Sequence, residues 1–468
     1  MATLIEQHPE YNILPVGQDV IFTVSNSSVV STHTNVKFIA KVYISSGNPP
    51  NPSTSTDNIG NFKTTPNNAG VGMFDFRPII ESFVKADNLA RKGSAYKTIV
   101  NTLDTTVPVH LIDKYSGNVN TIRYFFIRFK IEYIDSDTSS ATFGDLITTD
   151  IKDSDIYQIF NGYIKHTDEL NLVGNNFGYN LSNFNLSTVA DSFLSNAPAT
   201  QYANLEDYGT FPILDTNDEL HYIKLIYKDS TGSQIGTENI YKTYTNGAYT
   251  TYNGYIGMNI LFFGCFPANL QGSSTQFNNL VSAGTIQGGS IEVQAFNDQL
   301  GGQISKEYTI NLNCPTLKGY EPVRLTWLNQ WGAWDYYTFT MKSTKTISTK
   351  GSTYKQLGGS WNKSTYKLDS FKGGKKAFRV NATEKIKMNT DFVSESDSEW
   401  FEDLINSPEV YIVKGYNQTE LPTSALNQYI IPVRLTTSSY TKKTIANDKL
   451  MQYTFEVEKS KTLRTQAV

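Results

Sequence analysis

The sequence has little charge and almost no cysteine. Charged residues make up 18% of the 468 residues, and 40 Lys and Arg are nearly balanced by 44 Asp and Glu. A strongly basic nucleic-acid binder carries a clear positive excess, so this balance argues against that class. The two cysteines, Cys265 and Cys314, match neither a disulfide framework nor a metal-ligand spacing. We expect both to be small buried apolar residues of a protein made in a reducing compartment.

Long apolar runs are also missing. The start of the chain, MATLIEQHPEYNILPVGQ, lacks the basic segment followed by an apolar segment that marks a secretory signal. The most apolar stretch, residues 255–266, is interrupted by Asn259. It is also shorter than the roughly 18 residues that a helical membrane span needs. We therefore expect neither a signal peptide nor stable membrane insertion.

Signatures of catalysis and of cofactor binding are absent from the sequence. No nucleophile elbow, phosphate-binding loop or dinucleotide fingerprint occurs, and the sequence GGKK at 373–376 indicates a basic turn. Two acidic groups are candidate calcium ligands, Asp135 with Asp137 and Asp150 with Asp153 and Asp155, but neither has the full alternating pattern of a calcium loop with its glycine and terminal glutamate. No two of the five histidines have the spacing of a helical zinc pair; they are His8, His33, His110, His166 and His221. We expect no metal, no cofactor and no enzyme activity.

Aromatic and turn-forming residues are abundant. The chain holds 29 Tyr and 26 Phe with many Ser, Thr, Asn and Gly, which is typical of sheets joined by turns. Apolar and polar residues alternate in two long segments, 121–133 and 451–458, and this period of two predicts strands with one buried face. Shorter strands are predicted at 36–44, 221–227, 291–296 and 308–312. The sequence predicts a mainly all-β fold of two or three antiparallel β-sandwich-like modules with a few short helices.

Two short helices are predicted. Pro78 can occupy the first turn of one of them. The second begins after Ser394, where Asp397 completes a capping box and the acidic first turn suits the helix dipole. Trp400 lies on its apolar face, and Pro408 marks its end.

The chain is too long for one ordinary domain, so about two to four units are expected. We place an N-terminal module at 1–145, a central module at 146–315 and a C-terminal module at 316–468, which we expect to fold by itself. Two segments rich in Asn and other turn residues are predicted to be long loops, 45–70 and 172–210.

An aromatic segment at 324–345 is the most distinctive part of the chain: RLTWLNQWGAWDYYTFTMKSTK. Its bulky residues, interrupted by Gly332 and Ala333, predict a strand, a tight turn or bulge, and a second strand. Asp335 is expected to accept hydrogen bonds from backbone N–H groups at that turn. Two interpretations of the aromatic residues stay open, a hairpin that builds the core and an exposed contact patch.

Together with 390–413 and 447–466, this segment resembles the C-terminal module of tail structural proteins of bacteriophages that infect Bacteroidetes, including crAss-like phages. In those proteins a tryptophan, a Leu-Asn pair, small residues and an aromatic-Asp-aromatic run open the module. A short helix, Ser-Pro and a strand lie near its end. Here Ser407, Pro408 and Val410 to Val413 match the entry to that strand, and Trp400 belongs to the short helix. The residues that match the opening are Trp327, Leu328, Asn329, Gly332, Trp334, Asp335, Tyr336 and Phe339. The front half of the chain is similar only in length, in β content and in a short segment, Phe74-Asp75-Phe76, before its helix.

This resemblance implies a structural virion component, part of a multi-copy ring, collar or hub of the tail, with no catalytic residues. It implies copies of the chain itself and other tail proteins as partners, including fibre or portal-proximal proteins, with no sequence-specific nucleic-acid contact. The protein would be made in the host cytoplasm and reside in the virion. We then expect the two long loops to become ordered only against neighbouring subunits.

Two alternatives stay open. The first is a receptor- or glycan-binding tail protein, which needs exposed aromatic residues beside Asp or Asn in one cleft. The second is a polysaccharide depolymerase, because two carboxylates that are distant in sequence can meet in one groove.

Overall fold

A computed structural model describes most of the chain. The described residues are 3–45, 49–55, 58–90, 107–118, 120–165, 172–173, 176–177, 184, 186–215, 219–242, 244–245, 248–249, 259–297, 302–313, 319–360, 364–414, 429–439, 441 and 451–464. Of these residues, 47% are in strands and 12% in helices, which confirms the predicted all-β fold with few short helices. The predictions for Cys314 and His166 lie outside the described residues.

The N-terminal part of the chain forms a β-sandwich. The strands of this part of the chain are β1 (Leu4–Gln7), β2 (Ile13–Pro15), β3 (Ile21–Ser25), β4 (Thr34–Ser45), β5 (Asn58–Thr64), β6 (Val71–Asp75), β7 (Tyr115–Gly117), β8 (Ile122–Ile134), β9 (Leu146–Asp153) and β10 (Tyr157–Phe160), and all of them except β7 belong to the sandwich. One sheet has the order β1–β3–β6 and the other β2–β10–β8–β4–β5, with β9 paired to β8. Aromatic residues fill the space between the sheets, where Phe22 and Phe129 lie 5.9 Å apart between ring centroids.

Strand β8 confirms the predicted strand at 121–133, since Phe125, Ile127, Phe129 and Ile131 are all fully buried. Two other expectations need correction. Residues 58–64, in the segment predicted to be one long loop, form β5, because this stretch pairs along the edge of β4. Strands β9 and β10 belong to the N-terminal sheet, so that sheet extends past the boundary placed near residue 145.

Among the described residues, the central part contains two larger sheets, two short two-stranded ribbons and two helices. Its strands are β11 (Leu172–Val173), β12 (Asn176–Phe177), β13 (Thr200–Ala203), β14 (Phe211–Asp215), β15 (Tyr222–Lys228), β16 (Gln234–Tyr241), β17 (Tyr244–Thr245), β18 (Ala248–Tyr249), β19 (Asn259–Phe263), β20 (Ser290–Asn297), β21 (Gly302–Gln303) and β22 (Tyr308–Leu312). The larger sheet has the order β13–β22–β20–β15–β16, and β14–β19–β7 forms the smaller one. Strand β7 therefore joins the N-terminal part to a central sheet.

The described residues of 172–210 pack within their own chain. Phe193 is fully buried and stacks on Tyr308 with 4.2 Å between ring centroids. Leu186 lies in the same core, and 200–203 form β13. The expectation that this segment becomes ordered only against neighbours was therefore wrong for these residues, because their aromatic and aliphatic side chains complete the central core.

The C-terminal part is one large antiparallel sheet with a helix packed on it. Its strands are β23 (Val323–Leu328), β24 (Trp334–Phe339), β25 (Thr344–Gln356), β26 (Gly374–Asn389), β27 (Val410–Val413), β28 (Ile430–Leu435), β29 (Thr454–Lys459) and β30 (Leu463–Arg464). The order is β24–β23–β27–β28–β29–β26–β25, with β30 paired to β26. Phe455 and Val457 are buried, as the alternation predicted.

Five α-helices are described. They are α1 (Ser27–Thr32), α2 (Arg77–Ile80), α3 (Pro267–Ser273), α4 (Thr275–Ser282) and α5 (Glu395–Asn406). Both predicted helices are confirmed, since Pro78 lies in the first turn of α2 and Ser394 and Asp397 form the capping box of α5. None of the described helices combines the length and apolar character needed to cross a membrane.

A shared core joins the three parts of the chain. Leu111 from the N-terminal part, Ile260 from β19 and Trp334 from β24 are buried in this one cluster. Separate cores lie inside each part. The parts are consequently joined by a continuous apolar junction, in addition to the strand β7 that crosses between them.

Candidate functional site

The aromatic segment forms a hairpin at the junction. Strands β23 and β24 pair antiparallel from Val323↔Phe339 to Leu328↔Trp334, which confirms the predicted strand–turn–strand. Gly332 adopts a positive φ of 74° in the turn, and a Cβ there would collide with the carbonyl oxygen of Asn161. Only glycine suits this position.

A side-chain amide holds the turn. The Asn329 Oδ1 atom accepts hydrogen bonds from the backbone N–H groups of Trp331 and Ala333, each at 3.0 Å. This role had been expected of Asp335, and that expectation was wrong. The reason is position: a short Asn or Asp side chain that opens a turn reaches the N–H groups a few residues ahead, and Asn329 precedes the turn whereas Asp335 follows it on β24.

The two faces of this hairpin are buried in different cores. Trp327 and Phe339 lie in the C-terminal core, whereas Leu328, Trp334 and Tyr336 lie in the junction core. Neighbouring residues on a strand point to opposite faces, so the aromatic residues can fill both cores at once. The core-building interpretation of these residues is therefore confirmed, and the exposed contact patch is wrong for them.

Asp335 connects three segments through its carboxylate. Ser195 Oγ donates to it at 2.6 Å, Trp400 Nε1 at 2.7 Å and Asn329 Nδ2 at 3.2 Å. The side chain lies in the interior, and burial raises its pKa to about 7, although the three donors favour the charged form. Asp335 thus joins strand β24 to the central segment and to helix α5. Helix α5 ends as predicted, with Ser407 as its cap residue and Pro408 directly after it.

A second buried carboxylate lies on helix α5. Asn196 Nδ2 donates to Asp403 at 2.8 Å, and Lys165 Nζ lies 3.6 Å from its other oxygen. Burial raises the pKa of Asp403 to about 6, and the Lys165 charge opposes that rise. Consecutive residues 195 and 196 therefore bind the two aspartates, and the central segment is fixed against the C-terminal module.

Arg324 on β23 is tied to the central part. Its Nε atom donates to the carbonyl oxygen of Tyr208 at 2.6 Å and its Nη1 atom to Thr338 Oγ1 at 2.7 Å. The guanidinium also lies 3.5 Å from Asp207 and 4.7 Å above the ring of Phe266. Burial lowers the pKa of this guanidinium, whereas Asp207 favours its charged form.

A histidine completes the junction from the N-terminal side. His110 Nδ1 lies 2.8 Å from the Tyr336 hydroxyl, which in turn lies 3.0 Å from Thr210 Oγ1. Burial lowers the pKa of His110 to about 3, so the imidazole is neutral at physiological pH. The β23–β24 hairpin is thus hydrogen-bonded to both other parts of the chain.

Sequence reasoning missed most of this junction. Its polar members are far apart in sequence: His110, Ser195, Arg324 and Asp403. One local signal existed, since Arg324 stands in a strand that is otherwise apolar apart from a threonine, where a charged residue requires a buried partner. All four ionisable groups, at positions 110, 324, 335 and 403, are at least nine-tenths buried. This arrangement joins modules, and it offers no reactive group to a substrate at the surface.

A cleft of about 580 Å³ lies between residues 204–207 and the C-terminal sheet. It contains charged residues of both signs, and two of its carboxylates are already engaged, Asp207 by Thr338 at 2.7 Å and Glu321 by Lys345 at 2.7 Å. None of the described residues that line it is aromatic. The cleft therefore lacks the aromatic platform that a glycan site usually presents.

The distal part of the β25–β26 hairpin, residues 347–380, extends beyond the strands that pair with the rest of β26; we call it the arm. Strands β29 and β30 pair with β26 only from residue 381 onward. Large apolar side chains on the arm are exposed, including Leu368 at 79%, Phe371 at 72%, Ile347 at 62% and Phe378 at 60%. The arm also carries eight Lys and Arg against one Asp.

Within the described part of the chain, no three His, Cys, Asp or Glu side chains are placed to hold a metal ion. Cys265 is buried, as predicted, and burial raises its pKa. No protein-family model matches the sequence, and no curated protein matches it either. The function has to be inferred from the residues and surfaces of the chain itself.

Proposed function

We propose that this chain is a structural component of a bacteriophage tail and occupies a fixed place in a multi-copy ring, collar or hub. The observation that carries the proposal is the arm, a two-stranded projection with exposed Leu368, Phe371 and Phe378. Isolated two-stranded hairpins are marginal in water, and exposed apolar patches usually mark interaction surfaces. The sequence resemblance of the C-terminal module to phage tail proteins gives the class of assembly.

The buried junction supports the same proposal. A subunit in a symmetric assembly has to hold its contact surfaces at fixed angles, because only then do repeated copies close into a ring. Here the body is joined by a shared apolar core and by buried hydrogen bonds to Asp335 and Asp403. Such preorganisation lowers the entropy lost on association.

The two alternatives receive less support. A glycan-binding site is expected to combine aromatic and polar residues in one cleft, and the described lining of the cleft beside residues 204–207 contains no aromatic residue. A depolymerase needs two carboxylates that reach a substrate. The carboxylates whose pKa values are raised, Asp335 and Asp403, are buried at the junction.

The test is mass spectrometry of purified phage particles, with the copy number measured against a labelled peptide standard. We expect the chain in several copies per particle. Its absence from purified particles would refute the proposed function.

A paired set of variants tests the arm as the assembly surface. Leu368→Ser with Phe371→Ser removes two exposed apolar residues of the arm, and Met73→Ser with Val189→Ser makes the matched change at exposed positions elsewhere. Both should fold as the wild type does, because surface substitutions usually change stability by less than about 0.5 kcal/mol. We expect only the arm variant to be lost from particles. Equal incorporation of both variants would show that the arm is not the assembly surface.

A further inference from the structure

Strands β25 and β9 each leave one edge open among the described strands. Strand β25 ends its sheet, and β26 is its only partner among the described strands. Strand β9 pairs with β8, and no described strand pairs with its other edge. An open edge exposes a row of unpaired N–H and C=O groups and is a template for another strand.

The two edges carry opposite charge. Residues 135–155, which contain β9, hold six Asp and one Lys, whereas the arm holds eight Lys and Arg and one Asp. Asp145 and Asp155 are exposed beside the two ends of β9, and Lys350 and Lys355 are exposed along β25. Neither lysine forms an ion pair with a described residue. Complementary charge steers association and fixes its register.

Both edges also expose large apolar side chains. Leu146 and Ile151 on β9 are 61% and 62% exposed, and Phe143 in the preceding turn is 56% exposed. On the other edge, Ile347 of β25 is 62% exposed. Burying such residues in one contact removes apolar surface from water and so favours association.

The lysines of β25 also decide which contact forms. Lysine on an edge strand is a common device against pairing of an edge with its own copy, since like charges then face each other. The lysines of two β25 strands would repel each other in this way. The acidic β9 edge would attract the lysines of β25 instead. The favoured contact therefore joins different surfaces of two copies, which is the heterologous type that generates rings when the rotation closes.

We infer that β25 of one copy adds to the β9 edge of a second copy of this chain, so that the arm joins subunits head to tail by strand addition. This inference rests on the proposed function for its place in a particle, and it concerns the partner and the geometry of the arm. Eight residues of β9 provide a contact of about 27 Å at roughly 3.4 Å per residue. Strand β25, with 13 residues, is long enough to cover it.

Zero-length carbodiimide cross-linking tests the contact, because it couples a lysine amine to a carboxylate only when the two touch. Equal amounts of ¹⁴N- and ¹⁵N-labelled protein are mixed, so that a peptide pair of mixed label proves a link between copies. We expect mixed-label links from Lys350 or Lys355 to Asp145 or Asp155, and their yield should fall at high salt. If neither the free protein nor intact particles give these links, the inference is refuted.

Charge reversal provides a rescue test. The arm variant Lys350→Glu with Lys355→Glu, and the edge variant Asp145→Lys with Asp155→Lys, should each lose self-association by about tenfold or more. A mixture of the two should associate again, because each arm then meets an edge of opposite charge. Sedimentation velocity measures all three samples, and melting curves show that both variants are folded.

The matched control makes the same charge change away from both edges, and Lys114→Glu with Lys461→Glu should associate as the wild type does. Self-association by either edge or arm variant alone at wild-type strength, or failure of the mixture, would refute the strand addition. If particles contain the chain without these links, the proposed function stands and this inference fails. If the free protein forms the links but is absent from particles, this inference stands and the proposed function fails.

Discussion

Trp400 tests whether the C-terminal core and the junction are coupled. Its side chain is 2% exposed, lies 5.0 Å from Trp327 between ring centroids, and donates its indole N–H to Asp335 at 2.7 Å. Replacing a buried aromatic by alanine costs about 3 to 5 kcal/mol of unfolding free energy. Removing a hydrogen bond to a charged group adds about 1.5 to 3 kcal/mol when the carboxylate is ionised. Trp400→Ala should therefore be among the most destabilising single substitutions in the chain.

Trp400→Phe separates the two contributions. Phenylalanine retains much of the apolar volume and loses the N–H donor, so we expect a cost of about 1 to 3 kcal/mol. Urea unfolding followed by circular dichroism gives the shift of the midpoint for both variants, and an unchanged slope keeps the comparison valid. The control is Phe378→Ala, an aromatic side chain that is 60% exposed on the arm and should change stability by less than about 0.5 kcal/mol.

Two results would refute this reasoning. A loss below about 1 kcal/mol for Trp400→Ala would mean that the side chain is not part of the core. Identical stability of Trp400→Phe and the wild type at pH 8 would mean that the indole N–H does not stabilise the Asp335 carboxylate.

Three further predictions concern the junction and the arm. Burial raises the pKa of Asp335 to about 7 and of Asp403 to about 6, so the folded state keeps protons that the unfolded state releases above about pH 4. Unfolding free energy should then fall as pH rises from about 4 to 7, by at most about 1.4 kcal/mol per pH unit for each group, and Asp335→Asn should flatten a pH series of urea titrations. Gly332→Ala should cost more than Gly232→Ala in the same urea assay, because both residues have positive φ but only Gly332 lacks space for a Cβ; equal costs would contradict this. Replacing 352–379 by an Asn-Gly turn should leave the thermal melting curve unchanged, and a lower melting temperature would mean that the arm packs on the body.

Local features of this fold were predictable from sequence. Alternation located β8, and the capping box located helix α5 within a residue, because both signals arise from side chains close together in the chain. Strand β5 was missed since its seven residues contain few apolar side chains and its stability depends on the neighbouring β4. An edge strand of this kind cannot be identified from its own residues, because the strand it pairs with has to be located first.

The junction was unpredictable for a different reason. Ser195 and Asp335 are 140 residues apart, and Asn196 and Asp403 are 207 apart, so no periodicity relates them. The modules were also expected to be more independent than they are, because a three-residue strand such as β7 leaves almost no sequence signal. The candidate interaction surface was partly visible, since the charge of the arm is plain in the sequence. The exposure of the arm could not be read from the sequence, because it depends on where the neighbouring strands of the sheet end.

In the proposed head-to-tail assembly, the junction would set the angle between the two contact surfaces, the β9 edge and the arm. The β9 edge belongs to the N-terminal sheet and the arm to the C-terminal sheet, so the angle between the two surfaces is set by what lies between those sheets. That region is the β23–β24 hairpin, which is buried on both faces and bound through Asp335, Arg324 and Tyr336. Buried polar groups stabilise a fold little, yet they favour one arrangement over others, because any shift leaves a charge without its partner. In a chain that repeats head to tail, a small change of that angle accumulates with every subunit and decides whether a ring closes. If the proposed head-to-tail contact forms, the polar junction would fix its geometry and the two edges would supply the contact.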